Sequence, residues 1–107
     1  MATKSVDEQH TQAWRNQQHM LFGREGHGMA KIDEHRMIIV GGADREGYKL
    51  SSGFIYDIRT QQSTPLRNDM PAARTECSVV ANEKYVYVIG GRDANDDAVD
   101  TVYRLCL

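Results

Sequence analysis

Cysteine, proline and aromatic residues are scarce in this chain of 107 residues, which has two cysteines, two prolines, one tryptophan and 7% aromatics. Cys77 and Cys106 are too few for the disulfide framework of a small secreted domain. They are expected as reduced thiols, since free cysteine behaves as a small hydrophobe. Long apolar runs are missing as well. The longest, Tyr85-Val86-Tyr87-Val88-Ile89, falls far short of the ~20 residues of a spanning helix. The N-terminal Met1-Ala2-Thr3-Lys4-Ser5-Val6-Asp7-Glu8 has no apolar core of a secretory signal. The expectation is therefore no membrane partner and a cytoplasmic or nuclear location. Charge of one sign is also lacking: 13 Lys+Arg face 15 Asp+Glu, for a formal charge of −2. Binding a nucleic-acid backbone requires a basic face, so no nucleic-acid partner is expected.

The chemistry-bearing motifs are equally thin. There is no Gly-x-x-x-x-Gly-Lys-Ser/Thr, and Gly26-His27-Gly28 lacks the third glycine of a dinucleotide fingerprint. His10, His19, His27 and His35 form no His-x-x-x-His pair, and no Cys-x-x-Cys occurs, so a structural zinc site is not expected. Asp93-Ala94-Asn95-Asp96-Asp97 starts like a calcium loop. Ala98 then stands where the loop needs glycine, and Arg104 where it needs glutamate. No Ser/His/Asp arrangement stands out, and Glu76 beside Cys77 disfavours a thiolate. The residues call for no metal, no cofactor and no catalysis.

What is present is a repeat. Ile38-Ile39-Val40-Gly41-Gly42 returns as Tyr87-Val88-Ile89-Gly90-Gly91. Ahead of the glycine pairs, Met20 and Arg24 are matched by Met70 and Arg74 at the same four-residue spacing. Behind them, Phe54-Ile55-Tyr56 pairs by type with Thr101-Val102-Tyr103, which makes the second post-glycine loop two residues shorter. Residues 37–40 and 85–89 are short β-branched or aromatic runs ending in Gly-Gly, predicting strands buried on both faces. Residues 54–58 and 99–103 predict further strands, as do 26–32 and 77–81. Asp33-Glu34-His35, Asn82-Glu83-Lys84 and Asp57-Ile58-Arg59-Thr60 have the side chains of tight turns. Each unit is a four-stranded antiparallel meander of about fifty residues, and the chain is long enough for one domain.

These residues resemble the kelch repeat: a hydrophobic strand before Gly-Gly, a variable loop, a strand ending in Tyr-Asp, a turn to a Trp, then Met-Pro-x-x-Arg. The matching stretches are Ile38 to Gly42, Ile55-Tyr56-Asp57, Met70-Pro71-Ala72-Ala73-Arg74, Tyr87 to Gly91 and Val102-Tyr103. Trp14 with Met20 and Arg24 looks like the tail of a preceding repeat. Ser63 stands at the Trp position, Arg104 where an Asp is expected after Tyr103, and Phe22-Gly23 weakens the first Met-Pro stretch. The resemblance implies an all-β fold of two kelch-type four-stranded antiparallel blades, a partial β-propeller. Residues 1–10 would be a flexible tail and 11–107 kelch repeats. Residues 11–23 would hold the outer strand of one blade, 24–67 a complete blade, and 74–107 the inner three strands of another. Ser5-x-x-Glu8 has the spacing of a capping box, so a short helix through Trp14 competes with that outer strand.

Roles for individual residues follow. Gly41, Gly42, Gly90 and Gly91 would give backbone bends with no room for Cβ, and Arg24 and Arg74 would bond strand-end carbonyls. Tyr56, Asp57 and Tyr103 complete the structural set with Trp14. In kelch propellers the post-glycine loops share a face that typically binds proteins, so Arg45, Tyr48, Arg92 and Asp93 are expected to contact a partner, with Glu25 and Glu76 beside them. Two blades cannot close a ring, and about three or more repeat units are needed to bury a continuous core. Further kelch repeats or self-association should complete the propeller, the leading strand of one copy finishing the last blade of the next. The function expected is a non-catalytic protein-interaction module. The alternative is a fragment of a kelch-type propeller enzyme of the oxidase or sugar-acting epimerase class.

Overall fold

The computed structural model describes Trp14 and residues 23–107, and every regular element in it is a strand. These are β1 (Gly28–Lys31), β2 (Arg36–Val40), β3 (Gly53–Asp57), β4 (Gln62–Pro65), β5 (Ser78–Ala81), β6 (Tyr85–Ile89) and β7 (Val102–Cys106). They form two antiparallel sheets, β1-β2-β3-β4 and β5-β6-β7. The strand expected over 11–23, the tail 1–10, the competing helix and Met20 lie outside the described residues, apart from Trp14 and Gly23. Trp14 itself is 99% exposed.

Side chains of Asp and Asn set the turns. In the β1–β2 turn the N–H groups of His35 and Arg36 both donate to Asp33 Oδ1 at 2.9 Å, and Arg36 Nε donates to Oδ2 at 2.9 Å. The second repeat uses Asn82, whose Oδ1 accepts from the N–H groups of Lys84 and Tyr85 at 2.8 and 2.9 Å. In the β3–β4 turn Asp57 Oδ1 accepts from Arg59 and Thr60 N–H. These are Asx-type closures, in which a short acceptor replaces a missing backbone partner. The donors around Asp33, led by the His35 N–H and the Arg36 side chain, pull its carboxyl down from 3.8 to about 2. A depressed carboxyl stabilises the fold above its ordinary pKa, and that contribution disappears as pH falls towards the folded value. Asp33→Asn should therefore flatten the loss of stability between about pH 5 and about pH 2, read as the urea midpoint at each pH.

The strand pairing corrects the reading of the repeat. Val40 pairs with Gly53, and Ile89 pairs with Val102, so Tyr103 is the counterpart of Phe54 rather than of Tyr56. The post-glycine loops, 41–52 and 90–101, are then equal in length, and the third strand of the second repeat is Val102–Cys106 rather than 99–103. Val99 belongs to the loop, where its N–H donates to Gly91 O at 3.0 Å. The counterpart of Asp57 is Cys106, opposite Tyr85 as Asp57 is opposite Arg36; Arg104 is no substitute for it. Aromatic similarity between Tyr103 and Tyr56 disguised the true register.

The core lies between the two sheets. Ile38 and Val40 of β2 meet Val86 and Val88 of β6, with Ile32 and Cys77 closing the cluster. Alternation along a strand places Ile38 and Val40 on one face, so one face of the first sheet packs on one face of the second. Gly28 lets β1 and β5 approach: a Cβ there would lie 2.6 Å from Val79 Cγ2 and 2.8 Å from Cys77 Sγ. Burial in this joint pushes the Cys77 thiol above its ordinary pKa. The expectation that both β2 and β6 are buried on two faces holds only for β2. In β6, Val86 and Val88 are buried, while Tyr87 is 37% and Ile89 42% exposed. No described element covers that side of the second sheet.

Candidate interaction face

The two post-glycine loops are built alike. Asp44 Oδ1 accepts the N–H groups of Glu46 and Tyr48, and Asp93 Oδ1 accepts those of Asn95 and Asp97, all within 2.9–3.0 Å. Inside each, Gly47 and Asp96 occupy matching places with positive φ of 90° and 66°. Their N–H groups donate to Asp44 O and Asp93 O. The loops are thus rigid brackets whose carboxylates hold backbone. Asp93, expected as a contact residue, is committed to this internal task through one oxygen. Asp44, which sequence reasoning passed over, does the same in the first repeat. Aligning the loops at equal length would have revealed it.

The glycine pairs receive the chain that enters each repeat. Ala43 and Glu25 exchange backbone hydrogen bonds at 2.8 and 3.0 Å, as do Arg92 and Thr75. Gly42 and Gly91 lie directly under these crossings, at φ of 93° and 96°. Gly41 and Gly90 precede them, at φ of 68° and 63°. Beside each crossing sits an arginine. Arg24 Nη1 donates to the strand-end carbonyls of Gly41 and Ser52, both at 2.9 Å, and its guanidinium lies 5.2 Å from the Phe54 ring centre. Burial lowers its pKa from the ordinary value. Arg74 lies 5.2 Å from the Tyr103 ring, but its bonds differ. Its Nη2 donates to the hydroxyls of Thr101 and Tyr103 at 3.0 and 2.9 Å, and Nη1 to Ala73 O. The hydroxyls of Thr101 and Tyr103 capture donors that Arg24, facing Phe54, sends to carbonyls.

Three of the six expected contact residues, Arg92, Glu76 and Glu25, come together where the repeats adjoin. Arg92 Nε lies 3.2 Å from Glu76 Oε2, and its Nη1 donates to Asp96 O at 2.9 Å. Lys49 Nζ reaches across from the first loop to Asp96 Oδ1 at 3.7 Å. Glu25, Lys49, Thr75, Glu76 and Asp96 line an open depression of about 280 Å³ there, with Asp93 at the base of the second loop. Arg45 stands apart. It lines a separate depression with Arg24, Glu25 and Asp44, and Tyr48 projects from the first loop, 71% exposed. The exposed ion pairs each contribute little to stability, ~0–1 kcal/mol, so these side chains are free to exchange partners. Among the described residues, no group of three His, Cys, Asp or Glu side chains could hold a metal ion. No described helix is long and apolar enough to cross a membrane.

A four-stranded meander with Gly-Gly after its second strand, an arginine stacked on the third, and a second unit built to the same plan characterise one repeat class. The model of the kelch motif matches residues 73–107. The chain carries the kelch repeat. Two curated relatives are alpha-scruin of Limulus polyphemus, 31% identical over 87 residues, and beta-scruin of the same animal, 33% identical over 78 residues. The matched stretches cover 81% and 73% of this chain but 9% and 8% of the relatives. The chain therefore spans less than a tenth of the length of the curated relatives it matches.

Proposed function

We propose that this chain is a non-catalytic kelch module that binds a protein partner through its loop face, as part of a larger propeller or assembly. The observation that carries this is the pair of matching brackets formed by 41–52 and 90–101. Their backbones are fixed by Asp44 and Asp93 while their outward side chains differ. A rigid support with variable tips suits recognition, because contact residues held in place lose little freedom on binding. Arg45, Tyr48 and Arg92 supply the residue types that anchor interfaces, and Glu25 and Glu76 flank them with the opposite charge. Asp93 acts from within, holding the second loop in shape.

Arg45→Ala and Arg92→Ala together should abolish capture of a partner protein identified by pull-down with the unmodified chain. Neither change should alter the circular dichroism spectrum or the thermal midpoint by more than a degree or two, since both side chains are exposed. Unaltered capture by the double variant would count against this face.

A further inference from the structure

The second loop holds a guanidinium of its own. Arg92 Nε lies 3.2 Å from Glu76 Oε2, and its Nη1 donates to Asp96 O at 2.9 Å. A carboxylate on one side and a backbone carbonyl on the other thus form a seat for the planar fork of an arginine. Because the two loops are equal in length, Ala43 is the counterpart of Arg92 in the first repeat, and Gly47 that of Asp96. Ala43 is paired with Glu25 as Arg92 is paired with Thr75, so the counterpart of Glu76 is Gly26.

The first repeat keeps the seat and lacks the arginine. Gly47 shares the positive φ of Asp96, and the N–H groups of both donate to the carbonyl of the loop aspartate. Gly47 O therefore stands where the acceptor stands in the second loop. Gly47 is exposed, and none of the described residues donates to its carbonyl. The carboxylate is present as well, moved by one position. Glu25 is opposite Ala43, and directly opposite residues of an antiparallel pair project from the same side. No described residue pairs with the Glu25 carboxylate. Both Ala43 and Glu25 border two open depressions, one of about 410 Å³ and the one of about 280 Å³ at the joint between repeats. The nearest cations are engaged elsewhere. Lys49, also opposite Ala43, extends to Asp96 Oδ1 at 3.7 Å, and Arg24 donates to the carbonyls of Gly41 and Ser52.

We infer that an arginine side chain of the partner protein docks over Ala43, its guanidinium between the Glu25 carboxylate and Gly47 O. It would take the place in the first repeat that Arg92 fills in the second. This inference rests on the loop-face function proposed above and adds the chemistry of the partner. Charge complementarity points the same way, since Glu25, Glu76 and Asp96 all border the depression at the joint.

The test titrates the isotope-labelled full chain with the end-blocked tripeptide Gly-Arg-Gly at low salt, followed by amide NMR shifts. Saturable shifts should centre on Ala43, Gly47 and Tyr48. Gly-Lys-Gly should bind severalfold more weakly, because an ammonium lacks the fork that spans a carboxylate and a carbonyl. Glu25→Gln, at an exposed position, should weaken Gly-Arg-Gly binding severalfold. Ala43→Arg copies the second repeat, so it should leave the chain folded, block the tripeptide and abolish capture of the partner protein. Shifts that never saturate, or equal binding of the lysine tripeptide, overturn the inference. Capture unchanged by Ala43→Arg also overturns it and leaves loop-face binding standing. Saturable arginine binding by a chain that captures no protein would support the seat and sink the loop-face function instead.

Discussion

Gly42→Ala and Gly91→Ala should each destabilise the chain by about 3 kcal/mol or more, whereas Gly47→Ala should cost about 1–2 kcal/mol. All three glycines have nearly the same backbone, with φ of 93°, 96° and 90°, so the strain of placing an L side chain there is shared. They differ in what the new Cβ would meet. At Gly91 it would lie 2.5 Å from Thr75 O and 3.0 Å from the Cys77 Cα, and at Gly42 it would lie 2.7 Å from Glu25 O; at Gly47 nothing is within 4 Å. The obstructing atoms are backbone, held by the paired hydrogen bonds between Ala43 and Glu25 and between Arg92 and Thr75. They cannot rotate away. Relief would require breaking the crossing that fastens each repeat to its entering chain. For a domain of this size about 3 kcal/mol corresponds to a fall of roughly 12–24 °C in the thermal midpoint. Scanning fluorimetry or urea titration of the three variants separates the terms. Equal losses at Gly42 and Gly47 would show that strain alone governs these positions.

That comparison also shows what kind of information the residues carry. The strands 37–40 and 85–89 were legible because β-branched and aromatic residues end abruptly at Gly-Gly. The turns were legible because Asp33, Asp57 and Asn82 have short acceptors that close a backbone bend. The register of β7 was not legible. Tyr103 matches Tyr56 in chemistry, yet it stands where Phe54 stands, because what the position requires is a ring beneath an arginine. Phe and Tyr both satisfy that requirement, and the Tyr hydroxyl then redirects Arg74. The loop carboxylates were misread for a related reason. An aspartate in a polar loop looks like a contact residue until the backbone N–H groups it serves are located, as with Asp93 and its counterpart Asp44. On the loop face, residue types pointed to Arg92 and Glu76, but the ion pair that links the repeats, Lys49 with Asp96, depends on how the sheets are juxtaposed. Composition could not reveal it.

Burial is the other property that local pattern specifies only in part. An apolar residue in a repeat states that its position is covered in a complete array, not that the covering element is within reach in one chain. Ile38 and Tyr87 make this measurable. They occupy the same register position, opposite Ala30 and Val80 respectively, but Ile38 is wholly buried and Tyr87 is 37% exposed. Ile38→Ala removes methyl groups from the joint between the sheets and leaves a cavity against Val86 and Val88. It should cost about 2–5 kcal/mol at any chain concentration. Tyr87→Ala, at low concentration, removes a ring that contacts little beyond its own sheet and should cost under about 1 kcal/mol. If self-association covers this side of the second sheet, the cost at Tyr87 should rise with concentration towards that at Ile38, because stabilisation by a bound partner grows with its free concentration. Urea midpoints for both variants at low and high chain concentration give the result. A Tyr87 penalty that is large in the dilute chain would mean the second sheet relies on this ring without a neighbour, and one that never changes would mean no copy comes to cover it.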